Sequence, residues 1–233
     1  VYAYPHNETS TGVTSPVYRV EAPDALTLVD GTSIAGAAPV DLTQVDAYYF
    51  SLQKALGSDG GLWVAILSPA AVERARRVEE SADGRWVPQF LSLSTAIDNS
   101  RKDQTLNTPA LATIIMAERQ VRWLLEHGGM EAVSAHCAQA SSLIYDWAEA
   151  NLAARPFVDN PAWRSPVTAT IEIDEAANAS ELAAHLRARG IVDIGAYRGV
   201  GANQLRIGTW PSVEVEDVEA LLACIDYCLE RVL

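Results

Sequence analysis

The sequence predicts an α/β fold that ends in a small α+β unit, and three observations predict it. The first third carries short apolar runs rich in Val, Tyr, Leu and Ile at 1–5, 26–30, 47–51 and 62–67, each bounded by turn residues, which is strand patterning. The middle carries two long segments whose apolar residues recur at helical spacing. From Pro156 the texture changes to strand (167–173), helix (Ser180 to Arg189), two strands (191–194 and 204–209) and a last helix running to Leu233. We therefore divide the chain into 1–150, part of a large domain, and 151–233, the small one.

Each helix is read from its ends and its stripe. Thr108 is an N-cap candidate, Pro109 suits the first helical position, and Leu111, Ile114, Ile115, Val121, Leu124 and Leu125 form one apolar stripe. Gly128-Gly129 ends that helix, and a second runs from Met130 to Ala153 on Val133, Cys137, Ala140, Ile144 and Trp147. Gly190 stops the third. The last has Glu214, Glu216 and Asp217 in its first turn, where carboxylates suit the positive end of the dipole, and buries Val218, Leu221, Leu222, Ile225 and Leu229. Between the first two strands lies "PHNETSTGVTSP", whose Asn, Ser, Thr, Gly and Pro are loop chemistry at a strand end.

Composition excludes several classes of function. At 233 residues and 49% hydrophobic content the chain buries a real core, and its net charge of -13 argues against nucleic acid or an anionic membrane as a partner. An anionic small molecule is still allowed, since paired arginines in a concave site override the mean field locally. Cys137, Cys224 and Cys228 are an odd set without framework spacing, which fits a reducing, cytoplasmic setting. Cys224 and Cys228, four apart on the last helix, lack a histidine or third thiol, so they read as core packing and no metal is expected. No apolar run reaches the roughly 20 residues that span a bilayer, and no secretory leader is visible. The chain opens on Val1-Tyr2-Ala3-Tyr4-Pro5, alternating like a strand already under way, so an upstream portion is expected to be absent.

The segment "DAYYFSLQKALGSDGGLWVAIL" carries the chemistry of most interest. It places Lys54 after a strand, beside Gly57, Gly60 and Gly61, which permit close approach of a ligand. On its own, a lysine at a strand end is a solvated surface charge. Asp30 ends the buried-looking strand "LTLVD", and a carboxylate there either caps its own turn or faces a cation.

Taken together, "HNETSTG", "VDGTSIAGAAPVD", "QKALGSDGGLW" and "NTPA" occur in the order found in phosphoserine aminotransferases, and the chain resembles their actinobacterial branch over essentially its whole length. The resemblance implies the rear part of a pyridoxal-phosphate (PLP) aminotransferase large domain, a mostly parallel sheet with helices, plus the small domain. It further implies a homodimer with the site shared across the interface. The implied substrates are small amino acids and 2-oxo acids: phosphoserine and 3-phosphohydroxypyruvate, with glutamate and 2-oxoglutarate as the second pair.

By the same resemblance, Lys54 is the Schiff-base lysine and proton shuttle. Asp30 is the partner of the pyridine nitrogen, whose protonation lets the ring absorb the carbanion's electrons. Thr9 contacts the ring-hydroxyl side of PLP, Gln53 lies near its phosphate, and Asn107-Thr108 supply a phosphate contact across the dimer, at what reads as an anion-favouring helix start. Arg206 forks the substrate carboxylate, and Arg198 in "YRGVG" serves the substrate phosphate or side-chain carboxylate, at a spacing that departs from the better-known bacterial pattern. His6, beside the Asn-Glu-Thr run, is expected near the site, and the tryptophans are read as packing anchors. The rival readings are another PLP enzyme of the same fold, of the serine-glyoxylate type, or a non-catalytic scaffold. A cysteine desulfurase needs a cysteine on a reactive loop, and all three here fall in helical patterns.

Overall fold

The computed structural model describes residues 1–81, 86–197 and 203–231. The chain opens with β1 (Tyr2–Pro5) and a two-stranded hairpin, β2 (Asn7–Glu8) and β3 (Val13–Thr14). Next come β4 (Thr27–Asp30), β5 (Ala47–Ser51) and β6 (Trp63–Leu67), and the first sheet has the order β1-β4-β5-β6. The first three are parallel and β6 is antiparallel to β5, so the fold is α/β with a mostly parallel sheet, as expected. Strand formation follows burial: Val29 and Tyr48, on adjacent strands in register, are buried with Ala35 and Val45. Asp46, entering β5, is buried and held by the Thr27 amide (2.9 Å), Ser68 Oγ (2.9 Å) and Arg19 Nη1 (2.8 Å).

Two helices outside the expected pattern follow, α1 (Pro69–Glu80) and α2 (Leu93–Ser100). Ser68 caps α1 by accepting from the Ala71 amide, and Pro69 takes its first turn, but Ala71 is its one buried residue, so no apolar stripe announces it.

The first long helix departs from expectation in its start and its face. α3 (Leu111–Glu126) begins after Ala110, which has no side-chain cap bond, so Thr108 is not the N-cap and Pro109 precedes the helix. Its buried residues are Thr113, Ala117 and Leu124, whereas Leu111, Ile114, Ile115, Val121 and Leu125 are exposed. Small side chains let this face approach the glycine turn after β5: Ser58 Oγ donates to the Thr113 carbonyl and Thr113 Oγ1 to that of Gly60.

α4 (Gly129–Ala150) runs through two cores. Val133 and Cys137 join Ile34, Leu52 and Leu56, while Ala140, Ile144, Tyr145 and Ala148 join the C-terminal cluster. That cluster is built on an antiparallel sheet, β7 (Ala154–Pro156), β8 (Thr168–Ile173) and β9 (Gln204–Gly208), covered by α5 (Ala179–Arg187) and α6 (Val215–Arg231). Residues 191–194 do not form the expected strand, because Asp193 adopts a left-handed φ of 63° that breaks an extended run. The segment meets β9 only through an isolated bridge, Gly195 to Leu205, and the bond from the Arg206 amide to the Ile194 carbonyl.

Candidate active site

Because β1, β4 and β5 run parallel, their carboxyl ends open on one edge of the sheet, where open α/β sheets hold ligands. Asp30 is the last residue of β4 and pairs with Pro5 on one side and Tyr49 on the other. Lys54 follows three residues beyond β5, and the hairpin that contains Thr9 follows β1. The topology thus delivers Thr9, Asp30 and Lys54 to the same edge.

Asp30 is half-buried, and its Oδ1 accepts from the Thr32 amide at 2.8 Å. The turn-capping alternative therefore holds for one oxygen, while among the described residues the other has no hydrogen bond. Gly31 is required beside it, because a Cβ there would run into the Tyr48 ring. The Tyr48 hydroxyl lies 3.0 Å from Nδ1 of His6, whose amide donates to the Asp30 carbonyl at 2.8 Å. Burial, and secondarily the Asp30 charge, push the Tyr48 and Tyr49 phenols up, and burial lowers the His6 imidazole. The His6 ring is therefore a buried group held on the Tyr48 hydroxyl, with burial disfavouring its charged form. Asn7 Nδ2 donates to Ser33 Oγ (2.9 Å), which donates back to the Asn7 carbonyl (3.1 Å). Asn7 Oδ1 is buried without a partner among the described residues.

Lys54 is half-buried rather than solvated, and buried Leu52, Ala55 and Leu56 tether its segment from both sides. Gly57 at φ 59° closes the turn by donating to the Lys54 carbonyl at 2.8 Å. Among the described residues no carboxylate pairs with the Lys54 amine. Nζ instead lies 5.8 Å from the centroid of the Trp210 ring, whose Nε1 donates to the Ser33 carbonyl at 3.1 Å. Gln53 is exposed.

Arg206, on β9, is half-buried, stands 4.7 Å over the Tyr197 ring and donates through Nη1 to the Thr9 carbonyl at 3.4 Å. Burial lowers its pKa and Tyr197 opposes the shift, but a guanidinium stays charged throughout. Arg206 and Thr9 are thus brought together. Arg198 lies outside the described residues. Asn107 and Thr108 are exposed and line a different cavity of about 700 Å³ with Trp63, Leu93 and Ile97. No hydrogen bond links them to Lys54, Asp30 or Arg206 among the described residues, and the helix-start argument for an anion at Thr108 falls with its loss of the cap position.

Sequence reasoning read Trp210 as packing, and it does pack against the core that holds Leu52 and Leu56, but its place beside Lys54 went unread. Its signal was its place four residues after Arg206 and two after Gly208, where a Cβ would come within 2.5 Å of the indole. Cys137, on α4, is buried and its thiol is pushed up to about 12 by burial, so it is not a nucleophile. No three His, Cys, Asp or Glu residues gather to hold a metal among those described.

Comparison with known proteins shows the family and the fold. A family described as Aminotransferase class-V matches residues 1–200. The chain is 52% identical over 232 residues to a putative phosphoserine aminotransferase of Mycolicibacterium vanbaalenii, covering 99% of this chain and 62% of that protein. It is 48% identical over 227 residues to the phosphoserine aminotransferase of Rhodococcus jostii, covering 97% and 60%. Among solved structures, a phosphoserine aminotransferase from Cytophaga hutchinsonii superposes with a TM-score of 0.87 at 24% identity, covering 99% of this chain and 63% of that one. That from Bacillus circulans subsp. alkalophilus gives 0.80 at 26%, covering 97% and 59%. The chain spans 60 to 62% of the length of the two curated relatives. With a family match over most of its residues and a lysine and a carboxylate at one edge of a mostly parallel sheet, the chain belongs to the class-V aminotransferases.

Proposed function

We propose that this chain is the cofactor-holding part of a phosphoserine aminotransferase, which transfers an amino group between O-phosphoserine or glutamate and 3-phosphohydroxypyruvate or 2-oxoglutarate. The observation that carries this reading is the register of β4 and β5, which sets Asp30 opposite Tyr49 and sends Lys54 out of the same sheet edge. The names of the relatives at 48 and 52% identity supply the substrate class.

The donor set fits PLP. A half-buried carboxylate with one uncommitted oxygen suits a protonated pyridine nitrogen, and a half-buried amine without a carboxylate partner among the described residues suits an aldehyde. When bound, PLP supplies an electron-accepting ring. Lys54 would take the proton from the substrate Cα and hand it on to the cofactor carbon, Asp30 would keep the ring nitrogen protonated, and Arg206 would fork the substrate carboxylate. Thr9 serves the ring-hydroxyl side and Gln53 the cofactor phosphate. Arg198 serves the far end of the substrate, and Asn107 and Thr108 reach a neighbouring subunit's site in a homodimer. Residues 1–150 form part of the cofactor domain and 151–233 the small domain of a cytoplasmic enzyme that takes no nucleic acid. Among the described residues no helix is long and apolar enough to cross a membrane.

The test is reductive trapping. Incubated with PLP and borohydride, the chain should gain a pyridoxyl group on Lys54, read by peptide mass spectrometry. Its loss in Lys54→Arg, and a clear weakening in Asp30→Asn, are expected. Labelling of Lys102 in preference to Lys54 would remove the basis of the reading.

A further inference from the structure

Three observations converge on Trp210. Its indole N–H is anchored on the Ser33 carbonyl at 3.1 Å, in the turn that follows Asp30. Its ring face meets Lys54 Nζ at 5.8 Å, near the limit of about 6 Å for a cation–π contact. Its backbone is fixed from the other direction: the Thr209 amide donates to the Val167 carbonyl (2.9 Å), Thr209 Oγ1 to that of Pro166 (2.9 Å), and Gly208 lacks the Cβ that would collide with the ring. A single side chain at the end of β9 therefore touches the lysine segment and the aspartate turn, four residues after Arg206.

We propose that Trp210 is a positioning residue for Lys54, its anchored ring forming the wall against which the lysine side chain is held at the sheet edge. A lysine stem has four rotatable bonds, and a fixed aromatic face removes much of that freedom before any ligand arrives. The indole N–H matters because it fixes the plane of the ring; the face matters because it shields one side of the amine. The inference rests on the reading of Lys54 as the cofactor lysine for its consequence, but the contact itself is tested without PLP.

The chain has only two lysines, Lys54 and Lys102, and Lys102 is exposed, so it serves as an internal reference. In competitive acetylation with acetic anhydride, read by peptide mass spectrometry, the Lys54-to-Lys102 labelling ratio should rise about threefold to tenfold in Trp210→Ala, as expected when one aromatic wall is removed. Trp210→Phe keeps a ring face and should rise less. Gly208→Ala keeps the tryptophan but pushes the ring aside, and should resemble Trp210→Ala. In PLP-borohydride trapping the order reverses, with Trp210→Ala and Gly208→Ala slowest at Lys54 and Trp210→Phe intermediate. Urea midpoints, and trapping at Lys102, separate this from general unfolding. An unchanged acetylation ratio in both folded Trp210→Ala and folded Gly208→Ala overturns the proposal. If the acetylation ratios move as described while wild type gives no pyridoxyl-Lys54, the positioning contact stands and the cofactor reading fails.

Discussion

Arg206 donates through Nη1 to the Thr9 carbonyl at 3.4 Å, joining two residues 197 positions apart. The same hairpin is fastened to the C-terminal part of the chain a second time, just ahead of β8, by the Ser165 amide donating to the Gly12 carbonyl at 2.9 Å. The loop that carries Thr9 is therefore tied to the C-terminal part of the chain at two points, one of them Arg206 itself. One guanidinium nitrogen is held on Thr9, and the planar fork is aimed by Tyr197 beneath it. Arg206→Lys retains the charge but not the fork. It is expected to weaken glutamate binding to the PLP-loaded protein by about tenfold or more, the worth of one charge-assisted hydrogen bond. Borohydride trapping at Lys54 should be unchanged. An unaltered glutamate titration in this variant would remove Arg206 from the carboxylate site.

Acid stability is expected to fall in two stages. Burial lowers the His6 imidazole, so the unfolded chain binds a proton near the ordinary value of 6.5 while the folded chain resists it. Its contribution is present above 6.5 and is lost as pH falls from there through the folded value. His6→Gln should flatten this limb of a urea-midpoint profile, and an identical slope below 6.5 would sink the assignment.

Asp46 governs the second stage. Burial pushes its carboxyl up, but bonds from the Thr27 amide, Arg19 and Ser68 outweigh that and hold it below the ordinary 3.8. Its contribution is therefore complete above 3.8 and is lost as pH falls through the folded value. Asp46→Asn should cost about 2 kcal/mol at neutral pH, less than a fully buried ion pair because Arg19 is partly exposed. The same variant should lose the acid limb below 3.8; a midpoint equal to wild type at neutral pH would contradict the role given to this residue.

Local patterning made the sheet legible and left the rest to tertiary contacts. The runs at 26–30 and 47–51 became β4 and β5 almost to the residue, because short apolar and aromatic runs bounded by turn residues are strand patterning whose buried residues, Val29 and Tyr48, face one core. Patterning placed Asp30 and Lys54 only at or just beyond the ends of such runs, where a solvated lysine and a turn-capping aspartate are the ordinary readings; it was the ordered set of motifs that singled them out. α1 and α2 bury too little to show a stripe, and α3 turns small residues inward, so its larger apolar residues misled. Asp193 in a left-handed conformation has no composition signal strong enough to cancel a strand pattern. The Trp210 contact with Lys54 joins distant segments, and no periodicity announces such a pair.

Two glycines should answer differently to the same methyl group. Gly12 sits at φ +74°, and a Cβ there would lie 2.7 Å from the Thr168 carbonyl oxygen and 3.2 Å from the Thr170 amide nitrogen, both backbone atoms of a buried strand that do not give way. Gly12→Ala must therefore strain its own backbone and lift the hairpin off β8, at a cost of about 1–3 kcal/mol. Because Thr9 rides on that hairpin, its contact with Arg206 opens too, and glutamate binding should weaken alongside stability. At Gly60 an added methyl group would meet nothing within 4 Å, and the backbone there has no left-handed φ, so Gly60→Ala should stay within about 0.5 kcal/mol of wild type. Equal urea midpoints for the two variants would mean that the hairpin does not rest on β8, and the coupling between Thr9 and Arg206 would lose its mechanical support.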